Sequence, residues 1–131
     1  MAEVNRGKRP LSPFMLGPIY RLQINSVMSI CHRITGVGLA LTAMLIVWWF
    51  LAAATGPEYF DFVDWLLTSW IGTLVMVVSL AALWYHFFTG VRHLVWDAGV
   101  GLEKSLIQPA GIAVLVAAAV MTVLTLAIAL F

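Results

Sequence analysis

The chain has 131 residues, 63% hydrophobic and only 10% charged, with a formal net charge of +1 and a mean hydropathy of +1.00. Such a balance lies outside the range of soluble domains and points to an all-α integral membrane protein. The single cysteine, Cys31, rules out an internal disulfide and any CxxC-type attachment of a cofactor, and so little sequence lies outside apolar runs that no soluble catalytic domain fits.

Asp, Glu, Lys and Arg are absent from residues 34–57, 65–91 and 105–131. Each run exceeds the roughly 20 residues that a helix needs to cross the hydrocarbon core. The pattern predicts three transmembrane helices, at 25–54, 65–95 and 107–131, preceded by an extended or interfacial N-terminal segment, 1–24. Arg6, Lys8, Arg9, Arg21 and Arg33 all precede the first apolar run. The positive-inside rule then predicts a cytoplasmic N-terminus and, after three spans, a periplasmic C-terminus. Pro10, Pro13 and Pro18 break up the basic region, which resembles neither a secretory signal nor a transit peptide. A bacterial inner membrane is the expected location.

The N-terminal segment, punctuated by proline and glycine, reads as an extended stretch that orders on a partner, or else as a disordered tail. From Tyr20 to Arg33 polar and apolar residues alternate, as suits a helix starting at the interface. Ser29, His32, Arg33 and Gly36 recur at helical spacing and are expected to share a face. Singly, Ser29 would bond a backbone carbonyl and Arg33 would snorkel to the headgroups. Together they form a donor-rich mouth that suits carboxylates or a quinone carbonyl.

The first span ends at Trp48 and Trp49, an aromatic belt ahead of Thr55-Gly56-Pro57. The loop carrying Tyr59, Phe60 and Trp65 is amphipathic enough to lie along the membrane surface, with Trp70 marking the second span. No chemistry is expected there.

The second span contains one ionisable residue, His86, about 9 Å above the level of Arg92. A histidine in a soluble core is usually a satisfied packing residue, but a polar group within hydrocarbon is costly, which favours a metal ligand such as the axial ligand of a non-covalent haem. Gly90 lies one turn away and would let a flat macrocycle or another helix approach closely. His93 follows His86 by seven residues, placing it about 20° around the helix and about 10.5 Å along it. Two ligands on one helix face cannot bracket one iron, so His93 is read with His32, Arg33 and Arg92 as a rim for haem propionates. A second axial imidazole must come from another chain. Asp97 is expected to pair with Arg92. The third span is scaffold, with Ala113 and Ala117 as a small-residue packing face.

In the order Arg9-Pro10-Leu11-Ser12-Pro13, then Ser29-Ile30-Cys31-His32-Arg33-Ile34-Thr35-Gly36, then His86 to Gly99 through Gly90, Arg92, His93 and Asp97, these motifs closely resemble the cytochrome b subunits of succinate dehydrogenase, over nearly the whole chain. The resemblance implies a membrane anchor for a flavoprotein and an iron-sulfur subunit, assembled with a second small membrane-anchor subunit and lipid, with no nucleic-acid partner. It implies haem b on His86, the first histidine of the HxxxGxRH motif, and propionate contacts from His32, Arg33 and His93. Ser29 and Arg33 match the family's ubiquinone-site residues, and succinate chemistry would lie in other subunits of the enzyme. Cys31 stands where leucine is common. A haem-free anchor of a fumarate reductase-like complex shares this fold without needing His86. A small transporter subunit is a third reading, weakened because no Asp or Glu lies within a span.

Overall fold

A computed structural model describes residues 22–131, so most of the N-terminal segment read as extended lies outside the described residues. Within them the fold is all helical: α1 (Ile24–Thr55), α2 (Pro57–Thr68), α3 (Trp70–Asp97) and α4 (Lys104–Leu130). Three of these are long and apolar enough to span a membrane. At 1.5 Å per residue, even the 27-residue α4 extends about 40 Å, more than a hydrocarbon core.

The second charge-free run does not form one helix from residue 65. α2 is a separate 12-residue helix opened by Pro57 at its first turn, where a missing backbone donor costs nothing. The chain then turns at Ser69, whose hydroxyl oxygen accepts from Gly72 N at 3.2 Å and caps α3. A Cβ at Gly72 would strike the Leu66 and Leu67 carbonyls, so the corner needs a residue without a side chain. Between α3 and α4, Gly99 and Gly101 adopt φ of 77° and 73°, which residues with a Cβ resist.

α3 is the central element, packed along both α1 and α4, with α1 and α4 touching less extensively. Few of the described side chains are buried, and among them Met28, Ala52, Val63, Val114 and Ala118 are the apolar ones. Most large apolar residues face outward, as lipid or neighbouring helices require. The small-residue face of α4 is Gly111, Val114 and Ala118, all buried, while Ala113 is exposed. The expected Ala113/Ala117 face is therefore displaced around the helix. Gly111 sets the register, because a Cβ there would meet Met28 Sδ at 2.9 Å and Arg92 Nη1 at 3.4 Å.

With the apolar effect weak between helices in lipid, polar clasps supply specificity. Thr42 and Ser79 hydroxyls lie 2.8 Å apart across α1 and α3. Trp84 Nε1 donates to Thr125 Oγ1 on α4 at 3.0 Å, and Tyr85 Oη donates to the Met28 carbonyl at 2.8 Å. Each such bond contributes on the order of 0.6 kcal/mol in a bilayer.

At the end where α1 runs into α2, Trp48 Nε1 donates to Tyr59 Oη at 2.8 Å and Trp49 Nε1 to Asp64 Oδ1 at 3.0 Å. These bonds fasten α2 across the end of α1. The opposite end gathers the start of α1, the end of α3 and the start of α4, and with them the histidines.

Candidate functional site

α1 and α3 run antiparallel, so the first turns of α1 meet the last turns of α3. On α1, His32, Thr35 and Gly36 fall at helical spacing and face α3; on α3, His86 meets them. The His32 and His86 rings are stacked, with centroids 3.9 Å apart and 15° between planes. His93, two turns along α3, is tilted against His32 at 5.4 Å and stands edge-on to Trp96. His32 thus lies between the other two imidazoles, which one helix face alone would have left separated.

The His86 ring is held by its Nδ1 atom. His32 O and Thr35 Oγ1 each lie 3.2 Å from it. A carbonyl oxygen can only accept, so Nδ1 carries a proton and donates, and in the neutral form of the ring the lone pair then lies on Nε2. Nε2 makes no hydrogen bond to any other described residue. An imidazole anchored through one nitrogen to a backbone carbonyl, with the other nitrogen left as a base, is the donor arrangement that axial ligation of a haem iron requires. The residues present therefore fit a haem. They offer one such imidazole donor, and no group of three metal-ligating side chains occurs among the described residues.

The close approach is made possible by Gly36. A Cβ on this residue would lie 3.1 Å from His86 Cε1, tighter than a relaxed contact. Gly90 is expected to let a macrocycle or another helix approach, and among the described residues a Cβ there would meet nothing within 4 Å. Its surface is open to a group beyond the chain, while the clearance for the imidazole itself comes from α1.

Arg92 departs most from expectation. It does not pair with Asp97 and it does not stand at the rim. Its side chain is buried between helices, with 8% relative exposure. Nη1 donates to Met28 Sδ at 3.4 Å and the guanidinium lies 4.3 Å from the Trp96 ring centroid. An aromatic face and a polarizable sulfur offset part of the cost of burying this cation.

Arg33 is exposed and Ser29 half-buried. No hydrogen bond, ion pair or ring contact joins either of them to the histidine cluster or to each other among the described residues. The structure thus brings together His32, His86 and His93 and leaves Ser29 and Arg33 available on α1 beside them. Sequence reasoning passed over Thr35, and it placed Gly36 on the polar face of α1 without its tie to His86. A signal was present, since both sit one helical turn from His32 or Cys31, but their relation to His86 emerges only once α3 is laid against α1.

Buried atoms at this end that lack a hydrogen-bond partner among the described residues include Asn25 Oδ1, His32 Nδ1 and Arg92 Nε. Along the α1–α3 seam an apolar groove of about 510 Å³ runs from the level of Thr35 past Gly38 and Thr42, with Val78, Ser79 and Ala82 opposite. The groove is lined by Thr35, which touches His86 Nδ1, and by Ala82, one turn from His86.

Comparison with known proteins gives a consistent result. The family described as succinate dehydrogenase/fumarate reductase transmembrane subunit matches residues 5–126. The chain is 45% identical over 126 residues to the succinate dehydrogenase cytochrome b556 subunit of Paracoccus denitrificans, covering 96% of this chain and 95% of that one. It is 34% identical over 118 residues to the subunit of the same name from Rickettsia felis, covering 89% and 90%. The succinate dehydrogenase cytochrome b560 subunit of Marchantia polymorpha is 39% identical over 124 residues, covering 90% of this chain and 88% of its own length.

Proposed function

The chain belongs to the succinate dehydrogenase/fumarate reductase transmembrane subunit family, and we propose that it is the haem b-binding anchor of a succinate:quinone oxidoreductase. It holds the flavoprotein and iron-sulfur subunits at the membrane together with a second small membrane subunit. Succinate chemistry belongs to those other subunits. The relatives carry the cytochrome name, and the observation that carries the haem reading here is the His86 ring, bound at Nδ1 by His32 O and Thr35 Oγ1 with Nε2 unengaged.

In this reading Nε2 of His86 would hold the haem iron from this chain, and the second small subunit would supply the other ligand. Bound there, the haem provides a one-electron redox centre in the membrane. His32, His93 and Arg33 lie on the side where propionates meet water and cations. The orphaned His32 Nδ1 supports a polar guest at that level, since an unsatisfied buried group costs about 1–3 kcal/mol.

Ser29 and Arg33 form this chain's part of the ubiquinone site. The Ser29 hydroxyl is free to donate to a quinone oxygen, and the exposed Arg33 guanidinium stabilises negative charge developing there. Excess basic residues near the start of α1 support a cytoplasmic N-terminus and a periplasmic C-terminus, with the histidine end on the cytoplasmic side of a bacterial inner membrane.

The test is a reduced-minus-oxidised spectrum of the affinity-tagged protein purified from membranes, with identification of the co-purifying chains. A b-type band together with a flavoprotein, an iron-sulfur protein and a second small membrane protein is expected. The same three partners without a b-type band would support the haem-free anchor instead.

A further inference from the structure

Resting on the reading of His86 as haem ligand, we propose that Thr35 is a positioning residue that sets the donor strength of the His86 imidazole. Thr35 Oγ1 lies 2.9 Å from Cys31 O and 3.0 Å from His32 O, both carbonyls of the preceding turn of α1. It also lies 3.2 Å from His86 Nδ1. A hydroxyl has one proton and two lone pairs. The proton goes to a carbonyl, because carbonyl oxygens only accept, so the lone pairs are what Thr35 turns toward Nδ1.

Threonines elsewhere in the spans also bond back to a carbonyl four residues earlier, as Thr42 does to Gly38, Thr122 to Ala118 and Thr125 to Met121. That habit satisfies a hydroxyl in an apolar surrounding and needs no function. Thr35 differs because its oxygen also meets a ring nitrogen from a residue 51 positions away. It is the second of two acceptors converging on one N–H, the other being His32 O.

Two acceptors on Nδ1–H pull its proton outward and raise electron density on the ring, so Nε2 becomes a stronger base and a better donor to ferric iron. They also fix the rotation of the ring about its Cβ–Cγ bond. Gly36 at Cε1 and the stacked His32 ring restrain the same imidazole sterically. Thr35 is the only side-chain hydroxyl among these restraints. Its removal should therefore weaken the ligand without expelling it, since the His32 carbonyl remains.

The experiment compares Thr35→Val, Thr35→Ser and His86→Ala with wild type in the purified assembled complex, reading haem content, the low-spin electron paramagnetic resonance signal and the haem midpoint potential. Thr35→Val should retain haem, shift the g-values and raise the midpoint potential, because the ferric form loses more stabilisation than the ferrous. Thr35→Ser, which keeps the hydroxyl, should restore both toward wild type. Should Thr35→Val not assemble, Thr35→Ala removes the hydroxyl without adding a methyl group, and the same upward shift is expected. Unchanged g-values and potential on loss of the hydroxyl, or a serine variant that behaves like the valine one, would overturn the role of Thr35 while leaving His86 as ligand. A b-type band that survives His86→Ala would overturn the ligand reading itself.

Discussion

At the α2 end of the bundle, Trp48 and Trp49 each donate an indole N–H to an oxygen of α2, on Tyr59 and Asp64. At the opposite end, Asn25 Oδ1, His32 Nδ1 and Arg92 Nε are buried with no partner among the described residues, and His86 turns one ring nitrogen to α1 and leaves the other unengaged. The first end is finished within one chain. The second carries desolvation costs of about 1–3 kcal/mol for each group left unsatisfied among the described residues. The contrast separates anchoring from function: tryptophans and an amphipathic helix fasten one end, while the other gathers the imidazoles and cations to which the haem and quinone roles are assigned.

The contrast is broken or sharpened by substitutions at the two ends. At the histidine end, Ser29→Ala and Arg33→Leu should each lower quinone reduction by about 10²-fold, the scale for losing one donor to a developing oxyanion. Succinate oxidation with a soluble artificial acceptor should be unaffected. Equal loss of both activities would mean that these residues serve assembly and not quinone.

His32→Leu removes the stacked ring but keeps the carbonyl that accepts from His86. An aromatic pair is worth about 0.5–1.5 kcal/mol, so haem retention should fall by about two- to tenfold. The absorption band should remain b-type. Complete loss of haem would make the ring, and not the carbonyl, the main restraint on His86.

At the α2 end, Trp49→Phe deletes the bond to Asp64 and should cost about 1–2 kcal/mol, seen as a thermal midpoint lower by a few degrees. Haem content and potential should not change. A changed haem spectrum in this variant would show that the ends are coupled and that the separation drawn between them is wrong.

How far these roles were legible in the sequence follows from the distance over which each is decided. The three spans could be read because charge is excluded from hydrocarbon whatever the packing. The start of α3 was marked by Trp70, whereas the charge-free run from residue 65 carries no sign that its first residues belong to a separate helix, α2. His86 stood out as the one histidine within a charge-free run. The roles of Thr35 and Gly36 did not, because a threonine or glycine in a transmembrane helix usually serves helix packing, and their tie to His86 depends on which turn of α3 lies opposite. Arg92 was misjudged for a related reason. Arg92 is expected at the propionate rim and paired with Asp97, yet Gly111 opens a gap on α4 into which the guanidinium fits beside Met28 and Trp96.

The most direct test of the claim that the histidine end is a half-built haem site is the reduced-minus-oxidised spectrum of two variants purified side by side in the assembled complex. His86→Ala is expected to lose the b-type band while His93→Ala keeps it. A band that persists without His86, or that disappears only without His93, would contradict the account.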